Sequence, residues 1–314
     1  MYADKIAFFY RDDMSPVDSP NSTSKSPTKP RRFMEFLRET PIWNHIELRD
    51  GFEPVTRQLL LSAHTAEYVD AIAHGHLPLA EHSHMTWSPN FRDTAYLTNG
   101  CLIAAITAAT KQPQQVAMAP VSGFHHATPE SGSGFCTFSG QVIAALKLYR
   151  ERGLVGAWID LDGHFGNSIE DSRDFAQDLD SAIPRDCNLN PTGSHGTYLA
   201  DLERKLRFIE RKVINGDVQY VCFAHGADSH QWDDLGGQCS TEEWLQASDM
   251  VYGMLARCAT ALAKPVPVAL ALFGGYRQDH PESVLGLHAM DTARCLEILC
   301  GVDLGYEAEV LAPR

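Results

Sequence analysis

Four short apolar runs constrain the fold of this chain more than any other feature. They are residues 115–120 (QVAMAP), 155–159 (VGAWI), 218–224 (VQYVCFA) and 266–273 (VPVALALF). A run that is apolar on both faces suits a strand covered on both sides, which is the habit of parallel sheets. Segments of helical period separate the runs. Residues 140–150 (GQVIAALKLYR) are amphipathic, and residues 198–213 set Leu199, Leu202, Leu206, Ile209 and Val213 on one stripe. Ser240 with Glu243 has the spacing of a capping box before another helix. Strands alternating with helices imply crossover connections and an α/β fold.

The chain of 314 residues is 44% hydrophobic, enough to bury a core without disulfide staples. No internal repeat or later composition break divides it, so residues 1–314 read as one domain. Residues 15–30 (SPVDSPNSTSKSPTKP) are rich in Ser, Pro, Thr and Lys, and are expected to form a surface loop without regular structure. The loop lies between an apolar opening at 6–10 and a helix-like stretch at 31–39. No apolar run approaches the length of a membrane span, and the N-terminus shows no secretory pattern. The eight cysteines form no CxxC pair and read as reduced, mostly buried small hydrophobes. A cytoplasmic location is the expectation. The net charge of −14 disfavours a nucleic-acid partner. It suits a cationic substrate, although solubility alone explains most acidic balances.

The residues that follow each run are the chemically capable ones. In open α/β sheets, ligands bind outside the carboxyl ends of the strands. After the first run comes SGFHHATPESGSGFC, after the second DLDGHFGN, after the third HGADSH, and after the fourth GGY. Asp160, Asp162 and His164 offer oxygen and nitrogen donors suited to Zn²⁺; taken alone, an acidic glycine turn capping a helix reads slightly better. Asp228 would add a carboxylate. His125 and His126 could carry protons near neutral pH. Tyr276 could donate to a developing oxyanion. Each signal is common by itself. Four strand ends that each deliver a complementary part describe a metal-assisted hydrolase. His74, His76, His82 and His84 read as surface residues, and His225 as a supporting or structural one.

The ordered motifs GFHHA, SGFC, DLDGH, GAD and GGY resemble the zinc-dependent histone deacetylase family, including its bacterial amidohydrolase and acetylpolyamine amidohydrolase relatives. The resemblance implies a single-domain arginase/deacetylase fold with a parallel sheet of about eight strands flanked by helices. It implies that Asp162, His164 and Asp228 hold Zn²⁺, and that His125 and His126 are the tandem active-site histidines. His126 would be the main base and later the acid. Asp160 would partner His125 and sit by a structural K⁺. Asn167 would partner His126, Tyr276 would hold the oxyanion, and Phe135 and Gly134 would line the acyl channel. The implied substrate is an acetyl-lysine side chain, an acetylated polyamine or another acylated amine; a homo-oligomer is left open. Phe165 stands where the family commonly has a second histidine, and residues 180–196 lack the usual Ser-Leu-His segment. Two other readings remain: a catalytically silent acyl-lysine-binding or assembly module, and a di-manganese ureohydrolase-type enzyme.

Overall fold

The computed structural model describes residues 1–16, 26–112 and 115–313. Its centre is a parallel sheet of β1 (Ile6–Phe9), β2 (Ile46–Arg49), β3 (Val116–Ala119), β4 (Gly156–Asp160), β5 (Asn188–Leu189), β6 (Tyr220–Ala224) and β7 (Val268–Ala271). The spatial order is β2-β1-β3-β7-β6-β4-β5, and every pairing is parallel. Seven strands are thus seen among the described residues, where about eight are expected. All four apolar runs form strands, and β1, β3, β4, β6 and β7 are buried along their whole length. No helix of the described residues is long and apolar enough to cross a membrane.

The four central strands are adjacent, and their register places the site. Ala119 pairs with Ala271, Ala271 with Ala224, and Ala224 with Asp160. One row across the sheet therefore ends four strands at the same level, and the loops leaving that row meet above it. Helices cover the sheet. The stripe of the helix Gly196–Ile214 buries Leu202, Leu206, Ile209 and Val213, and this helix packs on the helix Thr241–Leu262. The latter opens with the Ser240–Glu243 capping box. All eight cysteines are free and seven are buried.

The expected irregular loop needs correction at its end. Ser26–Thr28 form a 3-10 turn and the helix Lys29–Arg38 begins two residues earlier than its apolar pattern. Pro30 sits in the first turn, where a missing N–H costs nothing, and Lys29 and Pro30 are buried. Tertiary burial overrides the loop-like composition there. Residues 17–25 of that loop lie outside the described residues.

Candidate active site

The DLDGH segment leaves β4 as a tight chain of side-chain-to-backbone bonds. The amide of Asp162 donates to Asp160 Oδ1 (3.1 Å), that of His164 to Asp162 Oδ1 (3.0 Å), and that of Gly163 to Asp228 Oδ1 (3.0 Å). From β7, the amide of Gly274 donates to Asp162 Oδ2 (2.8 Å). Gly274 has to lack a side chain, because a Cβ there would lie 2.3–2.5 Å from the carboxylate of Asp228.

These bonds bring one donor atom each from Asp162, His164 and Asp228 within 4.8 Å of one another. His164 Nδ1 lies 3.2 Å from Asp162 Oδ1 and 2.9 Å from Asp228 Oδ2. Both carboxylates are buried. Burial pushes Asp228 up to about 7, and the neighbouring charge of Asp162 adds to the rise. Burial also penalises the Asp162 anion, yet His125 and the bonds from His164 hold it well below the usual carboxylate range. Hydrogen bonds to Asp162 and Asp228 raise His164 to about 10. Two buried carboxylates clasping a proton on an imidazole form a charge pattern that a divalent cation can take over, releasing that proton. The donor set, two carboxylate oxygens and one nitrogen, fits Zn²⁺ with a fourth position open.

The tandem histidines sit beside this cluster with different partners. Their rings are 4.1 Å apart, and the ring of His126 is 6.1 Å from that of His164. His125 Nδ1 donates to Asp160 Oδ2 (2.9 Å), with both residues buried. Burial pulls His125 down, but the carboxylates of Asp162 and Asp160 outweigh it and hold the ring at about 9. His126 is half-buried, and its Nδ1 lies 2.8 Å from Asn167 Oδ1. Asn167 Nδ2 donates to Asp171 Oδ2 (2.6 Å), which turns its carbonyl toward His126. His126 therefore donates from Nδ1 and keeps Nε2 free as an acceptor. Desolvation, aided by the nearby His125, lowers His126 to about 4.

Tyr276 completes the group from the β7 loop. Its ring centroid is 6.2 Å from His164 and 5.6 Å from Phe135. Burial, and then the carboxylates of Asp162 and Asp228, push its hydroxyl well above the ordinary range, so it stays a donor. Gly134 and Phe135 reach the site with φ of 49° and 64°. A Cβ on Gly134 would lie 2.5 Å from the ring of His126, so only glycine lets this backbone pass over the imidazole.

The model of the histone deacetylase domain matches residues 23–179, half of the chain. The chain belongs to the histone deacetylase family. An uncharacterized protein of Picosynechococcus sp. is 28% identical over 247 residues, covering 71% of this chain and 77% of that protein. Histone deacetylase 1 of Homo sapiens is 35% identical over 78 residues, 24% of this chain and 16% of that protein. Histone deacetylase RPD3 of Saccharomyces cerevisiae is 23% identical over 180 residues, 54% of this chain and 41% of that protein. The chain thus spans less than half the length of these two deacetylases. The family match supports a deacetylase-type hydrolase.

The run after His164 departs at Phe165 from the second histidine that the family resemblance implies. Phe165 is 59% exposed. Residues 180–196 still reach the site loop, because the amide of Gly166 donates to Asn190 Oδ1 (2.8 Å). His74, His76, His82 and His84 are exposed. His225 is buried, stacked on Trp244 at 3.6 Å and within hydrogen-bond reach of Ser248 and Asp291. Sequence reasoning misses two residues. Asp233 accepts from the amide of Tyr276 (2.7 Å). Lys29, hidden in a low-complexity stretch, points into the protein beneath the site. Neither sits in a pattern that carries chemistry.

Proposed function

We propose that this chain is a zinc-dependent amidohydrolase that removes an acetyl or other short acyl group from a lysine side chain, a polyamine or a similar small amine. The observation that supports it best is the convergence of Asp162, His164, Asp228, His125, His126 and Tyr276 at the ends of four adjacent strands. Zn²⁺ held by Asp162, His164 and Asp228 would supply Lewis acidity toward the amide oxygen and lower the pKa of a water.

The protein's own groups do the rest. His126 Nε2, neutral at pH 7, takes a proton from the attacking water as the C–O bond forms. Tyr276 donates its hydroxyl hydrogen to the oxyanion that develops on the former carbonyl. His125, paired with Asp160, adds positive charge beside the reacting centre. His126 then returns its proton to the nitrogen as the C–N bond breaks, releasing a carboxylic acid and an amine. Asn167 holds His126 in the tautomer this requires. Phe135 and Gly134 wall the acyl channel.

The test is hydrolysis of a matched panel of acetyl-lysine peptides, acetylated polyamines and longer acyl-lysines, followed by release of the free acid. Chelator-sensitive turnover of one class is expected, and the preferred member names the substrate. Binding without hydrolysis across the panel would favour the silent acyl-lysine-binding module.

A further inference from the structure

The loop that carries Tyr276 is unusually well pinned. Val121 O accepts from the amides of Leu272 (3.1 Å) and Phe273 (3.4 Å). Gly274 donates to Asp162, and Gly274 O accepts from the amide of Ala227 (3.0 Å). The amide of Tyr276 donates to Asp233. Phe273 itself adopts a φ of 53°, a left-handed conformation that a bulky side chain adopts only when its surroundings enforce it. Its buried carbonyl needs a donor, and the ammonium of Lys29 supplies one.

Lys29 is far away in sequence, at the start of the helix Lys29–Arg38, and is only 6% exposed. A buried ammonium is costly unless it is compensated. Asp228, Asp162 and Asp233 lie close enough to support its charge, although burial still pulls it down to about 8. Two of these are candidate metal ligands, and the third holds Tyr276.

We propose that Lys29 is a positioning residue for hydrolysis, fixing the Phe273 carbonyl and through it the placement of the Tyr276 hydroxyl beside the metal-binding cluster. This rests on the hydrolase reading above. Lys29 acts through the backbone of residues 273–276 and does not touch the reacting atoms. It makes the fold of the N-terminal segment a condition for a competent active site.

The test is a double-mutant cycle of Lys29→Met and Tyr276→Phe, with Lys29→Gln as the second variant should the methionine chain not fold. Lys29→Met is expected to lower kcat tenfold or more with KM within twofold, while zinc stoichiometry is kept. In the Tyr276→Phe background the same change is expected to cost almost nothing, because a group acting through Tyr276 has nothing left to position. Equal losses in both backgrounds, or wild-type kcat in Lys29→Met, overturn the proposal. Amide hydrogen exchange of residues 272–278 gives an activity-free readout. Exchange at least tenfold faster in the variant is expected, and unchanged protection overturns the anchoring. If the wild-type protein hydrolyses no acyl amide, the hydrolase reading fails, while the exchange result still decides what Lys29 holds in place.

Discussion

The most informative single perturbation is a change of charge behind His126. Its partner Asn167 is neutral and its acceptor oxygen is 2.8 Å from the imidazole. Asn167→Asp alone would set two carboxylates together, because Asn167 Nδ2 donates to Asp171. Exchanging both, Asn167→Asp with Asp171→Asn, keeps a donor–acceptor pair and moves the charge onto His126. With charge centres about 4 Å apart, the added attraction lies between about 1 kcal/mol in water and about 4 kcal/mol at an effective dielectric near 20. At about 1.4 kcal/mol per unit, that raises the pKa by roughly 1 to 3 units. His126 starts at about 4, depressed by desolvation, so the variant's base should titrate at roughly pH 5–7. The sign follows from the chemistry: only neutral imidazole accepts a proton, so raising its pKa removes activity at acidic pH. A Zn²⁺ held by the neighbouring cluster would lower both starting values and leave the difference. The assay is kcat/KM against pH for both proteins. The acid limb is expected to move upward by at least one unit; an acid limb that stays in place refutes His126 as the base.

Three further outcomes are expected. Tyr276→Phe should retain zinc but lose about 10²–10³ in kcat, the cost of removing one oxyanion donor; steady-state kinetics checks this, and native turnover removes the assigned role. Gly274→Ala should weaken zinc binding at least about tenfold, about 1.4 kcal/mol, since its Cβ would crowd the Asp228 carboxylate at 2.3–2.5 Å. Competition with a chromophoric chelator reads that loss, and native affinity would contradict the geometry. Buried His64 accepts from the amide of Ser139 at Nε2 and meets Thr128 O at Nδ1, and burial lowers it to about 4. Its folded pKa lies below the unfolded value, so its contribution is intact above about pH 6.5 and is lost toward pH 4. The loss approaches about 3 kcal/mol, and urea unfolding at pH 7.5 and 4.5, compared with His64→Gln, checks it.

Much of this architecture is legible in the sequence because it rests on local pattern. Four of the five inner strands, β3, β4, β6 and β7, are continuous apolar runs, and the chemistry sits immediately after them. The edge strands are hidden for physical reasons. β2 reads Ile-Glu-Leu-Arg and is only half-buried, and β5 has two residues, Asn188 and Leu189. Neither length nor period marks such segments. The candidate ligands, the histidine pair and Tyr276 are visible because each belongs to a motif of fixed spacing. Asp233 and Lys29 escape because their partners, Tyr276 and Phe273, are distant in sequence. Lys29 also shows composition failing: Ser/Pro-rich surroundings suggest a loop, yet the fold buries the residue.

The proposed function stands or falls on whether Asp162, His164 and Asp228 hold a single zinc that powers amide hydrolysis. Titrating metal-free protein with Zn²⁺, with turnover of an acyl-lysine or acylpolyamine substrate read at each step, tests it most directly. Activity should rise linearly and level off at one zinc per chain, and Asp228→Asn should abolish the rise. Full activity only with two Mn²⁺ per chain, or turnover indifferent to metal, would contradict it.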